Sequence, residues 1–244
     1  MQLIRARHPQ DPVLDAAVTH ALLRRVGAGE LGPVARVLRP GPTMAFGRLD
    51  ALAGGFDGAR AAATAHGYAP LVRLGGGHAA GYDEGSLLVE LIRPERSIAE
   101  GIEARFAGAT ALLVEALDAV GIVARVGELD GEYCAGAWSV NAAGVKLAGT
   151  AQRSIRGASL VTAMVIVEGG VRLRAALVDV YAALGIAWRP ETAGAGQDVL
   201  PGLRVADVER AVIATLANRE ALTAGELDAA TLALAAELRD AHEV

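Results

Sequence analysis

The apolar positions along the chain switch between a period near 3.6 and a period of two, and the switches mark out the elements. Leu14, Val18, Leu22 and Val26 share one helical stripe, with Asp11 placed as its N-cap, Pro12 at the first helical position and Gly27 at its end. PVARVLRP and TMAFGR read as two short strands parted by Pro40, Gly41 and Pro42. A helix is predicted over 57–66, a strand at APLVRL, and a buried strand at SLLVELI once glycines 75–77 have interrupted the pattern. Ser97 and Glu100 have capping-box spacing, and the helix they open carries Ile98, Ile102, Phe106, Leu113 and Val120 inward as far as Gly121. IVARV, AWSVNA and VKLAGTA then read as strands, the last two joined by a hairpin turn over 142–144. ASLVTAMVIV is a longer strand, rich in β-branched residues. Helical spacing returns at 172–184 and 205–218, and Thr223 and Glu226 are spaced to cap a last helix bearing Leu227, Thr231, Leu234 and Leu238. Strands and helices mix without strict alternation, so the expected class is α+β, with the Gly- and Pro-rich stretch 190–202 as a loop.

Composition narrows this further. The 244 residues are 52% hydrophobic with mean hydropathy +0.34, enough for a sizeable core, but only 4% aromatic, so that core rests on Ala, Val, Leu and Ile. A net charge of −5 argues against a nucleic-acid partner, which selects a basic surface. A single cysteine rules out an internal disulfide framework or a multi-cysteine zinc site, and no metal is expected. MQLIRARHPQDP lacks the apolar run of a signal peptide, and no stretch approaches a membrane span. The expectation is a cytoplasmic protein with no membrane partner.

Two stretches stand apart as candidate chemistry. CAGAWSVNAAGVKLAGTAQR holds the only cysteine, Cys134, and the only lysine, Lys146, in a chain whose other cations are arginines. A thiolate is a strong nucleophile near neutral pH, and an ammonium is a compact charge that a guanidinium does not imitate. Against this, a lone cysteine is commonly a small buried hydrophobe. A flat hairpin turning at 142–144 also sets Lys146 opposite Ser139, about 16 Å along the strand from Cys134 at ~3.3 Å per residue. The cysteine segment would have to fold back over the lysine. The second stretch, RLGGGHAAGYDEGS, places Gly75, Gly76 and Gly77 after a strand, where backbone can approach a ligand closely. It is not a P-loop, and a tight turn is the plain alternative. His78 is a candidate base or merely a tunnel-lining residue. Asp83 is either a site carboxylate or the turn-former of an Asp-x-Gly corner.

Arg73, Gly76, Gly77, Ala79, Asp83 and Gly85 resemble the Arg-x-Ser-Gly-Gly-x-Ala…Asp-x-Gly motif of the lipoate-protein ligase and octanoyltransferase family. GVKLAGTAQR resembles that family's Gly-x-Lys-x-x-Gly-x-Ala-Gln motif, with Lys146 and Gly149 at its fixed positions, and PTMAFGR is similar to the strand preceding both. The resemblance implies the biotin and lipoate ligase catalytic-domain fold, a mixed, largely antiparallel sheet flanked by helices. It places the catalytic domain over 1–190 and leaves 191–244 as a short helical extension packed on it. It also implies an acyl tunnel walled by the glycine loop and the lysine strand, with Lys146 touching the acyl carbonyl. Substrate-binding candidates are Arg73, Gly75, Gly76, Gly77, His78, Ala79, Asp83 and Gly149; Gln152 and Arg153 rank behind them. A tunnel lined by small residues near Gly76, Gly77, Ala79 and Ala148 is expected. The chain departs from the motif where Gly75 replaces the serine, His78 a third glycine and Val72 a second arginine. CAGAWSVNAAGVK is similar to the Cys-Pro-Gly-x-Tyr block of the cysteine-dependent branch, with the same twelve-residue step to lysine.

Three functions follow from the resemblance. In the leading one, Cys134 takes an octanoyl or lipoyl group from an acyl carrier protein or acylated H protein and passes it to a lysine of a lipoyl domain or glycine-cleavage H protein. Lys146 steadies the carbonyl, and no cofactor is needed. The alternative is a lipoate-protein ligase using ATP and Mg2+, with Cys134 structural. The third is a non-catalytic acyl-binding relative.

Overall fold

The computed structural model describes residues 1–97 and 100–244. In chain order the elements are β1 (Gln2–Ile4), α1 (Pro12–Gly27), β2 (Val34–Leu38), β3 (Thr43–Phe46), α2 (Phe56–Ala65), β4 (Ala69–Val72), β5 (Ala80–Tyr82), β6 (Ser86–Pro94) and α3 (Ile102–Ala119). They continue as β7 (Arg125–Val126), β8 (Val140–Ala142), β9 (Val145–Ile155), β10 (Ala158–Ile166), α4 (Gly170–Leu184), α5 (Gly196–Val199), α6 (Val205–Arg219), β11 (Thr223–Gly225) and α7 (Ala229–Leu238). The expected α+β class is what forms. An eight-stranded sheet runs β11-β1-β2-β6-β10-β9-β8-β7, antiparallel except where β1 lies parallel to both neighbours. A three-stranded sheet, β4-β3-β5, stands over it. Among the described residues no helix is long and apolar enough to cross a membrane.

Because side chains alternate across a strand, each long strand serves two cores. Ala35 and Val37, Leu87 and Val89, and Ala163 and Val165 point to one face and pack with Leu113, Leu117, Val208 and Val212 of α3 and α6 in one continuous cluster. The residues between them point the other way, and that core is split. Val34, Ile92 and Leu160 sit with Val18 and Leu22 of α1, while Leu38, Leu88 and Met164 sit with the small sheet, α2 and α4. The row left between is Arg36–Glu90–Thr162–Ala151, cross-strand partners on four adjacent strands. This polar row is the floor of the cavity described below.

Several boundaries differ from the sequence reading, for identifiable reasons. Thr223 does not cap a helix; Thr223–Gly225 pairs with Gln2–Ile4, and neither three-residue strand is visible without the other. The last helix begins one turn later, capped by Asp228, whose carboxylate accepts from the Thr231 amide at 2.8 Å. Ser97 does accept from the Glu100 amide at 3.3 Å, but α3 starts at Ile102 behind Gly101, whose φ of 74° few other residue types adopt readily. Ile98 lies outside the described residues. The hairpin turn is two residues, Ala143 and Gly144, both at positive φ (49° and 81°), which suits the twist of the flanking strands. Lys146 therefore pairs with Asn141 rather than Ser139, and residues 137–139 are not strand.

Candidate active site

A cavity of about 400 Å3 lies between α1, the glycine loop after β4, the polar row of the large sheet and the segment before β8. Its mouth is where Gly76, Gly77, Ala135 and Ala137 are exposed; its opposite end, at Arg36 and Glu90, is buried. Cys134 and Lys146 both line it, so the two singular residues do come together.

A β-bulge arranges this. The β8–β9 register shifts at Val140/Asn141, where Val140 pairs with Ala148 and Asn141 with Lys146. The extra residue, Leu147, packs into the opposite core, and Lys146 turns to the same side as Gly149, whose hydrogen faces the Lys146 stem 3.5 Å from where a Cβ would stand. The cysteine segment folds back over the ammonium. Lys146 Nζ donates at 2.9 Å each to Glu132 Oε1 and to the carbonyls of Tyr133 and Cys134, and lies 4.8 Å above the Tyr133 ring. All three hydrogens are thus used within the protein, and the side chain is 1% exposed. Lys146 braces the cysteine segment and has no hydrogen left over for an acyl carbonyl.

Cys134 itself has φ 43°, a left-handed conformation that costs a non-glycine residue about 1–3 kcal/mol. Both of its flanking peptide groups are tied. Its N–H donates to the Tyr181 hydroxyl at 2.8 Å, which donates on to the Ala79 carbonyl at 2.9 Å, and its C=O accepts from Lys146. Burial holds the Tyr181 hydroxyl well above its ordinary range, so it stays a donor. The sulfur lies 3.8 Å from Arg73 Nη2, which donates to it. Arg73 meanwhile clasps the glycine loop, donating to the carbonyls of Gly76, His78 and Ala45. A Cβ on Gly77 (φ 88°) would lie 2.7 Å from the cysteine sulfur. One on Gly75 would lie 2.6 Å from the Ala151 Cβ, which explains why no serine stands there.

The other candidates separate. Gly75, Gly76, Gly77 and Gly149 line the cavity; His78, Ala79 and Asp83 do not. His78 Nδ1 pairs with Asp50 Oδ1 at 2.7 Å on the outside of the loop, with its side chain 47% exposed, so it does not line the tunnel. Ala79 is buried in the core beside the small sheet, and Ala148 in the core beneath α3. Asp83 forms its turn, accepting from the Gly85 amide at 2.9 Å and the Tyr68 hydroxyl at 3.1 Å, and burial raises its carboxyl. Gln152 donates to the Ile102 carbonyl and accepts from Arg105, and Arg153 is exposed. Two participants escaped the sequence reading. Glu132, against which Ser139 also hydrogen-bonds, had only its nearness to Cys134 as a signal. Tyr181 had none, since it reaches the site from α4, 47 residues away.

On this mixed sheet, a deep cavity with a strained, braced thiol at its mouth and a buried charged cluster at its far end defines a class of protein. The lipoyl protein ligase A/B catalytic-domain model matches residues 11–217, and the chain belongs to that family. It is 33% identical over 178 residues to the octanoyl-[GcvH]:protein N-octanoyltransferase of Geobacillus kaustophilus, covering 71% of this chain and 63% of that one. It is 40% identical over 123 residues to the Exiguobacterium sibiricum protein of the same name, covering 49% and 44%. The chain thus spans less than two thirds of the length of these curated relatives. Among solved structures, the bipartite lipoate protein ligase of Thermoplasma acidophilum superposes with TM-score 0.74 at 20% identity over 98% of this chain and 91% of that one. Lipoate-protein ligase A bound with ATP gives 0.74 at 20% over 98% and 94%. At that identity they establish the fold.

Proposed function

We propose that this protein transfers octanoyl or lipoyl groups between carrier proteins through a thioester on Cys134. The observation that carries the reading is the conformation of Cys134, held left-handed by Tyr181 on one side and Lys146 on the other, its sulfur against Arg73 at the cavity mouth. Strain maintained by that many partners is characteristic of a working residue. In the first step the Cys134 thiolate sulfur forms a bond to the acyl carbonyl carbon, the bond from that carbon to the donor breaks, and the donor atom leaves, taking a proton from solvent. In the second a lysine amine of the acceptor attacks the same carbon, the C–S bond breaks, the amine gives its proton to solvent, and the thiolate returns. Splitting the transfer this way is covalent catalysis. Lys146 then serves as a positioning residue, acting on the reacting atoms through the Cys134 carbonyl.

The name of the relatives supports an octanoyl group carried on GcvH as donor and a protein nitrogen as acceptor, an acyl carrier protein being the other donor to try. A free nucleophilic thiol suits a reducing compartment such as the cytoplasm. The ATP-dependent alternative fits less well. It needs cations free to bind phosphate, whereas Lys146 and most of Arg73 are committed to protein oxygens. No cofactor enters the proposed cycle.

Mass spectrometry tests this. Incubation with octanoyl-GcvH and without ATP is expected to add one octanoyl group, located on Cys134, and Cys134→Ser is expected to lose turnover with its fold intact. A serine variant active with ATP and lipoate, beside a wild type that is inert without ATP, would establish the ligase instead.

A further inference from the structure

The end of the cavity remote from Cys134 is not apolar. Arg36, Glu90 and Thr162 form consecutive positions of the cavity floor, and Asp15 and Thr19 come down on them from α1. Arg36 is 1% exposed and lies against both Asp15 and Glu90. Its Nη1 donates to the Asp15 carbonyl at 3.0 Å and the Thr19 hydroxyl at 3.1 Å; its Nη2 donates to the Ala6 carbonyl at 3.0 Å and to the Asp15 carboxylate. Thr19 donates in turn to Glu90 Oε2 at 2.7 Å. Burial pushes the Glu90 carboxyl up despite the guanidinium beside it. Most polar atoms of the cluster are satisfied by one another, which makes it a wall; the exceptions are Asp15 Oδ2 and Arg36 Nε.

The topology sets its distance from the chemistry. Lys146 and Gly149 lie on β9, Arg36 on β2, and β10 and β6 stand between them. Strand spacings of ~4.8 Å place Glu90, two strands away, about 10 Å and Arg36, three strands away, about 14 Å across the sheet from the lysine strand. The floor between them is Ala151 and Thr162, flanked along the strands by Leu160 on one side and by Met164 and Leu88 on the other. A straight acyl chain entering at the mouth therefore meets Ala151, Thr162 and the flanking apolar side chains first and buried charge last.

We propose that the Asp15–Thr19–Arg36–Glu90 cluster closes the cavity as a length stop, fixing the longest acyl chain the site accepts. Rejection follows from desolvation. A methyl group pressed against the cluster would gain no apolar contact and would strip hydrogen-bonding access from charged groups. Moving the wall aside would break a buried, mutually bonded network. The proposal rests on the acyl-transfer reading for its substrate class but not for its test.

Binding of straight-chain carboxylic acids from butanoic to tetradecanoic, measured by calorimetry, reads the stop without any turnover. Affinity is expected to rise about fourfold per added methylene along the flanking apolar side chains. The rise should stop after octanoic acid and before dodecanoic. The triple variant D15N/R36M/E90L replaces the ion cluster with groups of similar volume, a change that buried ion networks commonly tolerate. The D15N change keeps a side-chain oxygen for the His8 amide, from which Asp15 accepts at 2.9 Å. The variant should bind acids at least two carbons longer than the wild type does. If it fails to fold, the wild-type series still decides, since affinity that climbs unbroken through tetradecanoic acid overturns the stop. So does a folded triple variant with an unchanged limit, or a hydroxyl-terminated octanoic acid that binds more tightly than the alkyl acid. Length-limited binding without acylation of Cys134 would retain the stop and overturn the transferase.

Discussion

The two faces of the large sheet are built from the same strands and do opposite work. On the α3/α6 face, Ala35, Val37, Leu87, Val89, Ala163 and Val165 join one continuous apolar cluster. On the other, the residues one position along are apolar at both ends and polar in the middle, and the core divides in two around the cavity. Alternation lets a strand be structural on one side and functional on the other at no cost in length. The polar row does more than leave a gap, for Arg36 and Glu90 would be costly to bury unpaired and hold α1 in place through Asp15 and Thr19.

The sharpest test of the contrast lies at the mouth. Gly77→Ala sets a Cβ 2.7 Å from the Cys134 sulfur and 3.0 Å from Arg73 Nη2, at a φ of 88°. A displacement of the nucleophile by about 1 Å is worth on the order of a hundredfold in rate, and a loss of that size in acyl capture is expected. Gly76→Ala, one residue away, meets nothing within 4 Å and should remain close to wild type. Equal activity of the two variants, measured by the rate of thioester formation, would show that the Gly77–Cys134 contact is immaterial.

The second test weighs the faces against each other by stability. Leu113, 1% exposed in the continuous cluster, should cost about 2–5 kcal/mol on truncation to Ala. Thr162→Ala, on the cavity floor, only widens a space already open and should cost less than about 1 kcal/mol. Urea unfolding decides, and comparable losses would mean the cavity face is packed as tightly as its reverse.

What the sequence disclosed follows from range. Elements specified by their own residues were legible: α1 from Asp11, Pro12 and its stripe, and β6 and β10 from apolar runs. The motifs around Gly75–Gly77 and Lys146 located the site, because each carries its chemistry within a few residues. β1 and β11 were not legible, since each is only three residues long, and β11 pairs with a strand more than 200 positions away. The bulge that turns Lys146 and the hydroxyl of Tyr181 under Cys134 are tertiary facts with no local signature. Arg36 and Glu90 are a different case. Each stands inside an apolar run, VARVL for Arg36 and LLVELI for Glu90, and a charge there is a signal that reads as noise until the strands are paired.

The smallest expected effect concerns how the C-terminal segment closes the α1 side of the cavity face. His242 is 1% exposed, lines the cavity, and lies between the Val72 carbonyl, 2.8 Å from its Nδ1, and His20 Nδ1, 3.2 Å from its Nε2. With Nδ1–H donating to the carbonyl, Nε2 accepts from His20, and a proton on Nε2 would set two donors face to face. Burial, followed by the neighbouring His242 and the Arg24 and Arg153 charges, pushes His20 down from 6.5 to about 4; burial lowers His242 as well. The folded state therefore keeps these rings neutral while the unfolded chain takes up protons below 6.5. Their contribution is constant above about pH 7, is lost as pH falls from 6.5 toward 4, and levels off below. The raised carboxyls of Asp83 and Glu90 act in the opposite sense, so the informative quantity is the gap between wild type and His20→Gln, which leaves those groups untouched. The urea midpoint of the wild type should decline relative to that variant across this window, reversibly and by a small margin. A gap that stays constant from about pH 8 to pH 4 would mean that the histidine pair titrates as freely folded as unfolded, and that the C-terminal segment is held by its Arg239–Asp11 bridge at 2.7 Å, by the Val72 N–H donating to the His242 carbonyl at 3.0 Å and by α7 packing.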